Sequence, residues 1–237
     1  MRIKVSLFVK SYPREGLNIN YNHQMASAIY SKFELVDKDK SRKLHDLKKF
    51  FTFSRLFVPK REIKDGKLIF LDNEAYFYFS SPSAEDIGVL VEGLLTEPEL
   101  TISDVKFEIT EVKVEKELIK SGDTLKTLSP ITIFVKRDGR RYFLDPIKEK
   151  KEFEEALRRR LFNRYLKFYG RTPLSDAFMI DVLKAKQKLI FIGKTPYRAY
   201  ELLFKVIGGE ELLKFGYQAG LGKKNSMGFG MVEIVDR

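Results

Sequence analysis

Apolar and polar positions alternate at the start of the chain. Ile3, Val5, Leu7 and Val9 are separated by the mostly polar Lys4, Ser6, Phe8 and Lys10. A period of two puts one set of side chains on one face, so residues 2–10 predict a half-buried strand. After a turn with Pro13 and Gly16 the period lengthens: Met25, Ile29 and Phe33 form a helical stripe, with Asn22 placed to cap it. Residues 37–49 are charged and irregular. FTFSRLFV (51–58), KLIFL (67–71) and AYFYFS (75–80) then read as strands. Ser83 is positioned to cap a second helix through Ile87, Leu90, Val91 and Leu94, ending near Glu97-Pro98. Extended sequence from Leu100 to Val114 closes this half in the order β, α, β-hairpin region, α, β.

The second half repeats that order. TLSPITIFVKR (127–137) and RRYFLD (140–145) predict a hairpin around Asp138-Gly139, a strong turn pair. Residues 149–169 predict a long amphipathic helix with Phe153, Leu157, Leu161 and Tyr165 on its buried side. Strand-like stretches follow (AFMIDVLKA, QKLIFIG, AYELLFKVIG), then a helix from Gly209 through Leu212, Leu213 and Phe215. A glycine-rich loop leads into a last strand at 230–235. Two copies of β-α-β-β-α-β predict an α+β chain of two tandem ferredoxin-like, RRM-like units, 1–118 and 119–237, parted near EKELIKSGDT (116–125). The copies share a pattern of elements rather than residues.

Composition narrows the chemistry. The 237 residues hold 20 Phe and 11 Tyr, enough apolar matter for a real core, which excludes a disordered chain. With no Cys there is no disulfide framework, zinc knuckle or cysteine nucleophile, and two His exclude multi-histidine metal sites. The N-terminal MRIKVSLFVK has charges spread through it and no apolar run nears membrane-spanning length, so an intracellular, cytoplasmic protein with no membrane partner is expected. The net charge of +11 is uneven: residues 1–120 carry 20 Lys/Arg against 19 Asp/Glu, and residues 121–237 carry 24 against 14. A surplus confined to one half points to a surface for a polyanion.

The most informative segment is GYQAGLGKKNSMGFGMVEI (216–234). Gly220-Leu221-Gly222 and Gly228-Phe229-Gly230 stand five residues apart and flank Lys223-Lys224. Glycine lets a phosphate approach backbone amides without a Cβ in the way, and lysines add charge beside them. The alternative use is tight helix–strand packing. No GxxxxGK[ST] register exists, and Asn225 stands where G-x-G-x-x-G needs its third glycine. GFGMVEI echoes an RNA-recognition RNP1 strand, but it lacks the leading Lys/Arg and falls on the last strand of its unit, not the third.

Together with YNHQ (21–24), FTFSR (51–55) and TLSPI (127–131), in that order over essentially the whole chain, this loop resembles the C-terminal signature of the RAMP proteins. Within these the chain is most similar to Cas6, the CRISPR repeat endoribonucleases. The resemblance implies cleavage of repeat RNA within a precursor transcript, with neither metal nor cofactor. The 2′-OH attacks the scissile phosphate and leaves 2′,3′-cyclic phosphate and 5′-OH ends. It further implies a catalytic Tyr on the first helix, a His in the segment after it and a Lys shortly beyond. Tyr30 fits the first, His45 the second, and Lys49, with Lys48 as the alternative, the third. Single-stranded or weakly structured repeat RNA is the implied partner, with a CRISPR effector complex and a second copy of the chain as further candidates. A member that holds repeat RNA without cutting it is the alternative function.

The residues themselves suit that chemistry. It needs a base near the 2′-OH, an acid near the leaving oxygen and positive charge on the phosphorane. His45 lies in a segment, 38–61, with nine Lys/Arg against Asp39 and Asp46. Cations lower a histidine pKa and favour a proton acceptor; a bound phosphate raises it again. A solvated loop histidine is the competing reading. Tyr30, with a reference pKa of about 10, is a weak base suited to positioning. His23, in the first helical turn, suits capping or packing. For the grip on RNA, residues 136–171 carry thirteen Lys/Arg against six acids. Lys136, Arg137, Arg140 and Arg141 surround the hairpin turn. Burial of Leu157, Leu161 and Tyr165 leaves Arg159, Arg160 and Arg164 for ligand, beside Lys48 and the glycine loop. Phe229 and Tyr197 are candidates to stack on bases, each with a core role as the alternative.

Overall fold

The computed structural model describes residues 1–13, 15–36, 50–116 and 118–235. His45, Lys48 and Lys49 lie outside the described residues. The chain divides into two units: Met1–Lys49 with Ser54–Lys116, and Phe50–Phe53 with Glu117–Arg237. The excursion of four residues into the second unit is not visible in the hydropathy pattern.

In the first unit, β1 (Arg2–Ser11) buries Ile3, Val5, Leu7 and Val9, as the alternation predicts. Short β2 (Leu17–Asn18) precedes α1 (Asn22–Val36), whose Met25, Ile29 and Phe33 are buried. After β3 (Thr52–Phe53), which belongs to the second unit, come β4 (Arg61–Lys64), β5 (Lys67–Phe70) and β6 (Glu74–Ser80). Then follow α2 (Ala84–Thr96), β7 (Glu99–Ile102) and β8 (Val105–Glu115). The sheet runs β6-β1-β8-β7, with all pairs antiparallel. Third strand beside first beside fourth is the ferredoxin-like order.

Residues 54–58 do not form the regular strand that FTFSRLFV suggested. The Ser54 amide donates to Tyr78 O (2.9 Å) and Phe57 bridges Tyr76. Between them the Ser54 hydroxyl replaces the ladder: it accepts from the Tyr78 amide (2.9 Å) and donates to Arg55 O (2.7 Å). β2, β5 and β4 form a separate small sheet. Leu100–Val114 is two strands rather than one, turning at Ser103-Asp104 with Ser103 at φ +55°. Ser83 caps α2 as expected, accepting from the Asp86 amide at 3.1 Å.

The second unit holds β9 (Thr124–Thr127), the hairpin β10 (Phe134–Arg137) and β11 (Arg140–Phe143), and α3 (Lys150–Tyr169). β12 (Phe178–Ile192), β13 (Thr195–Gly208), α4 (Glu210–Ala219) and β14 (Val232–Ile234) complete it. The order β12-β13-β9-β14 is second, third, first, fourth, again ferredoxin-like. The hairpin lies outside this sheet as an insertion between first strand and helix, with Asp138 at φ +50° and Gly139 at φ +74° making its turn. β12 is one long strand where two were predicted; a bulge at Val182/Lys184 shifts its register. The core packs Phe153, Leu157, Leu161 and Tyr165 of α3 with Leu212, Leu213 and Phe215 of α4 over Phe178, Phe204 and Val206. Each such side chain contributes about 1.5–3 kcal/mol by leaving water.

Candidate nucleic-acid interface

The glycine loop is built by packing within the second unit. Gly220, Gly222, Gly228 and Gly230 all take positive φ, +82°, +81°, +74° and +77°. Their α-carbons face protein. A Cβ on Gly230 would fall 1.8 Å from Leu221 O, one on Gly222 2.7 Å from Thr132 O, and one on Gly228 2.5 Å from the Phe53 ring. Four of the loop amides bond internally: Leu221 donates to Gly230 O, Lys223 to Thr132 O, Gly228 to Asn225 O and Gly230 to Pro130 O, all at 2.8–2.9 Å. Buried Asn225 clamps the loop through Nδ2 bonds to Leu221 O (2.9 Å) and Phe229 O (3.0 Å). Thr52 Oγ1 donates to the same Phe229 O at 2.9 Å. Packing therefore accounts for the four glycines without a bound phosphate. The loop lies on Pro130 and Ile131 of the TLSPI stretch, on Thr132 just after it, and on Thr52-Phe53 of FTFSR, so three motifs scattered in sequence are one structural assembly.

Arg164, expected at the ligand, is a strut. It is 4% exposed, donates to Gly220 O (2.7 Å) and Ala219 O (2.9 Å), and lies between the Phe50 and Phe215 rings. A guanidinium at the C-terminal carbonyls of α4 meets their partial negative charge. Burial, and then the charge of Arg160, push its pKa well down. Phe229 is fully buried and Tyr197 is 3% exposed, both in a small core with Ile190 and Ala199, so neither is available to stack on a base.

What the loop presents outward is charge. Lys223 is half-buried, with Nζ donating to Phe134 O at 2.5 Å and lying 4.0 Å from that ring's centroid. Its pKa is lowered by burial first, and then by Arg160, Arg159 and Arg141. Arg141 also lies over the Phe134 ring, 5.5 Å from its centroid, so four mutually repelling cations from the β10–β11 hairpin, α3 and the loop share one neighbourhood. Arg141 donates to the Tyr197 hydroxyl at 3.1 Å, and exposed Lys224 lies 5.5 Å from the same ring, so buried Tyr197 braces the patch. Arg160 is exposed as a residue, yet desolvation of its head lowers its pKa. Among the described residues none of Arg140, Arg141, Arg159, Arg160, Lys223 and Lys224 forms an ion pair. Arg137 differs: Glu152 (2.6 Å) and Glu149 (3.6 Å) neutralise it, which weakens its case as an RNA contact. Arg158 is likewise paired, with Glu155 and Asp176.

Residues 16–113 match the family model for the N-terminal part of CRISPR-associated protein Cas6, and residues 110–234 match that for its C-terminal part. The chain belongs to the Cas6 family. It is 37% identical to the CRISPR-associated endoribonuclease Cas6 of Pyrococcus furiosus over 99% of this chain and 90% of that one. It is 38% identical to a CRISPR-associated endoribonuclease Cas6 of Methanocaldococcus jannaschii over 100% and 93%. A solved structure described as a RAMP protein binding different RNA substrates superposes with a TM-score of 0.91, at 31% identity over 100% of both chains.

In this Cas6 family member Tyr30 sits on the buried side of α1, 6% exposed, among Met25, Ile29 and Phe33. His23 is exposed in the first turn of α1. YNHQ owes its place to Tyr21, whose hydroxyl accepts the Leu56 amide at 2.7 Å. Among the described residues no group of three or more His, Asp or Glu could hold a metal ion, and no helix is long and apolar enough to cross a membrane. The unpaired cations make a salt-dependent prediction. For a single strand, each phosphate contact contributes about 0.7 to the slope of log K against log salt. Arg159→Ala with Arg160→Ala is expected to flatten that slope by roughly 1.4, whereas Arg137→Ala should leave it nearly unchanged. A filter-binding series across salt concentrations reads both; equal slopes for all variants would remove the patch from the interface.

Proposed function

We propose that this chain, an endoribonuclease by its family, cuts CRISPR repeat RNA in a precursor transcript to release crRNA units. The observation that carries this reading is the gathering of Arg141, Arg159, Arg160 and Lys223, none of which forms an ion pair among the described residues, in a chain that matches Cas6 along its length. Crowded, uncompensated cations repel one another, and an RNA backbone relieves that repulsion on binding. The proposed chemistry is metal-independent. The 2′-OH attacks the adjacent phosphate, the 5′-oxygen leaves, and the products carry a 2′,3′-cyclic phosphate and a 5′-OH. His45 moves the proton, Tyr30 positions, and Lys49 or Lys48 stabilises the phosphorane charge. Repeat RNA is the partner, and an effector complex is the proposed recipient of the product; pairing with a second copy is compatible with this scheme.

Incubation with the repeat RNA of its own CRISPR locus in EDTA is the test. Cleavage within the repeat with cyclic-phosphate ends is expected. RNA that stays bound and uncut would favour the second reading, a chain that holds repeat RNA, which the RNA-binding RAMP neighbour supports.

A further inference from the structure

The first unit carries an aromatic cluster that none of the chemistry above uses. In β6, alternate residues divide cleanly: Ala75, Phe77 and Phe79 are buried toward the helices, while Tyr76 and Tyr78 lie on the opposite face and stay partly exposed. Phe57, the cross-strand partner of Tyr76, joins them on that face. Its ring stacks on Tyr76 at 5.0 Å and 12°, and both rings meet Tyr78 edge-on, at 6.0 and 5.8 Å. Lys4 of β1 places Nζ 4.3 Å from the Tyr76 centroid. Phe57 is partly exposed, and among the described residues its ring contacts are those two tyrosines.

Two features favour an anionic, flat-faced occupant. Lys4 stands directly opposite Lys113 in the β1–β8 register, and like charges so paired cost stability unless an anion lies between them. The acid next along, Glu111, is opposite Ser6, whose hydroxyl reaches it at 3.5 Å. The position of the rings is the second feature. β6 is the third strand of a βαββαβ unit and lies beside the first, and outward aromatics two residues apart on that strand are what RNA-recognition sheets use to stack bases. The RNP1-like signal that GFGMVEI gave in the second unit, where Phe229 proved buried, thus has its physical counterpart in AYFYFS of the first.

We propose that Phe57, Tyr76 and Tyr78 form a stacking platform for an unpaired base of the bound RNA, with Phe57 presenting the ring face and Lys4 and Lys113 meeting the backbone. This rests on the reading of the chain as a repeat-RNA-binding protein and adds a contact to an unpaired base to the backbone grip of the basic patch.

The test uses the full chain with His45→Ala, to keep the RNA intact, and repeat RNA carrying 2-aminopurine at one unpaired position at a time. Quenching is expected at a single position. Phe57→Leu and Tyr76→Leu should abolish it and weaken binding roughly tenfold to a hundredfold, whereas Tyr76→Phe keeps the ring and the affinity. Unchanged binding and quenching in both leucine variants would overturn the platform and leave the proposed function standing. If the unsubstituted chain binds no repeat RNA, both fall together. Cross-linking of 4-thiouridine-substituted repeat RNA to the unsubstituted chain needs no variant to fold: an adduct on the peptide holding Phe57 or Tyr76 is expected, and adducts confined to other peptides count against the platform.

Discussion

His45→Ala is expected to slow repeat cleavage by roughly 10²–10⁴-fold, the usual worth of a positioned acid or base, while repeat-RNA affinity stays close to that of the parent. The separation follows from where charge lies. On the proposed reading binding energy comes from cations such as Arg159, Arg160 and Lys223, which form no ion pair among the described residues, and one histidine side chain adds little to it. Transfer of the 2′-OH proton and protonation of the leaving oxygen need a group that changes state near neutrality, and the sequence offers His23 and His45 for that role. His23 is exposed at the start of α1, with α1's apolar face occupied by core residues, so His23→Ala is the matched control and should leave the rate unchanged. Single-turnover rates under saturating protein read chemistry rather than affinity. The parent's rate should vary across the histidine range and the variant's should not. Cleavage by His45→Ala at the parent rate would remove His45 from the mechanism.

Periodicity made most of the fold legible. The buried stripes of α1 and α3 and the alternation of β1 were readable because one face of each element packs on a single core. The β7–β8 turn was missed, although the pattern carries a trace of it. Leu100 and Ile102 occupy even positions and Val105 and Phe107 odd ones, so the alternation changes phase across Ser103-Asp104 without any glycine to mark it. Other features left no local trace. Residues 50–53 belong to the second unit because Thr52 and Phe53 pack under a loop more than 160 residues away, and hydropathy carries no information on that. The candidate site divides in the same way. Clusters of Arg and Lys were visible, but their counterions were not. Arg137 is neutralised by acids across a strand and a loop, Arg158 by Glu155 one helical turn back and by Asp176 beyond the helix, and Arg164 points inward to carbonyls that any sequence would supply. Tyr76 and Tyr78 were read as strand residues alone, since a face exposed for a ligand and a face covered by protein alternate identically.

Gly230→Ala is expected to destabilise the second unit by about 3–5 kcal/mol, adding strain at a left-handed position to overpacking. The φ of +77° accounts for the first part. The second arises because the new Cβ would lie 1.8 Å from Leu221 O, a backbone atom that cannot swing aside. Relief by moving the loop would stretch both bonds that hold Gly230, its amide to Pro130 O (2.9 Å) and its carbonyl to the Leu221 amide (2.8 Å). Gly139→Ala makes the comparison clean: its φ is +74°, but nothing lies within 4 Å of its Cβ, so strain alone should cost about 1–3 kcal/mol there. For a chain of this size the Gly230 variant should melt roughly 6–20 °C below the parent. The same experiment separates the two uses of the glycine loop. If its glycines served phosphate approach, RNA binding by Gly230→Ala would fall further than its loss of stability explains, even at temperatures well below its melting point. If they serve packing, stability falls first, and binding falls only as far as Lys223 and Lys224 lose the bed that aims them.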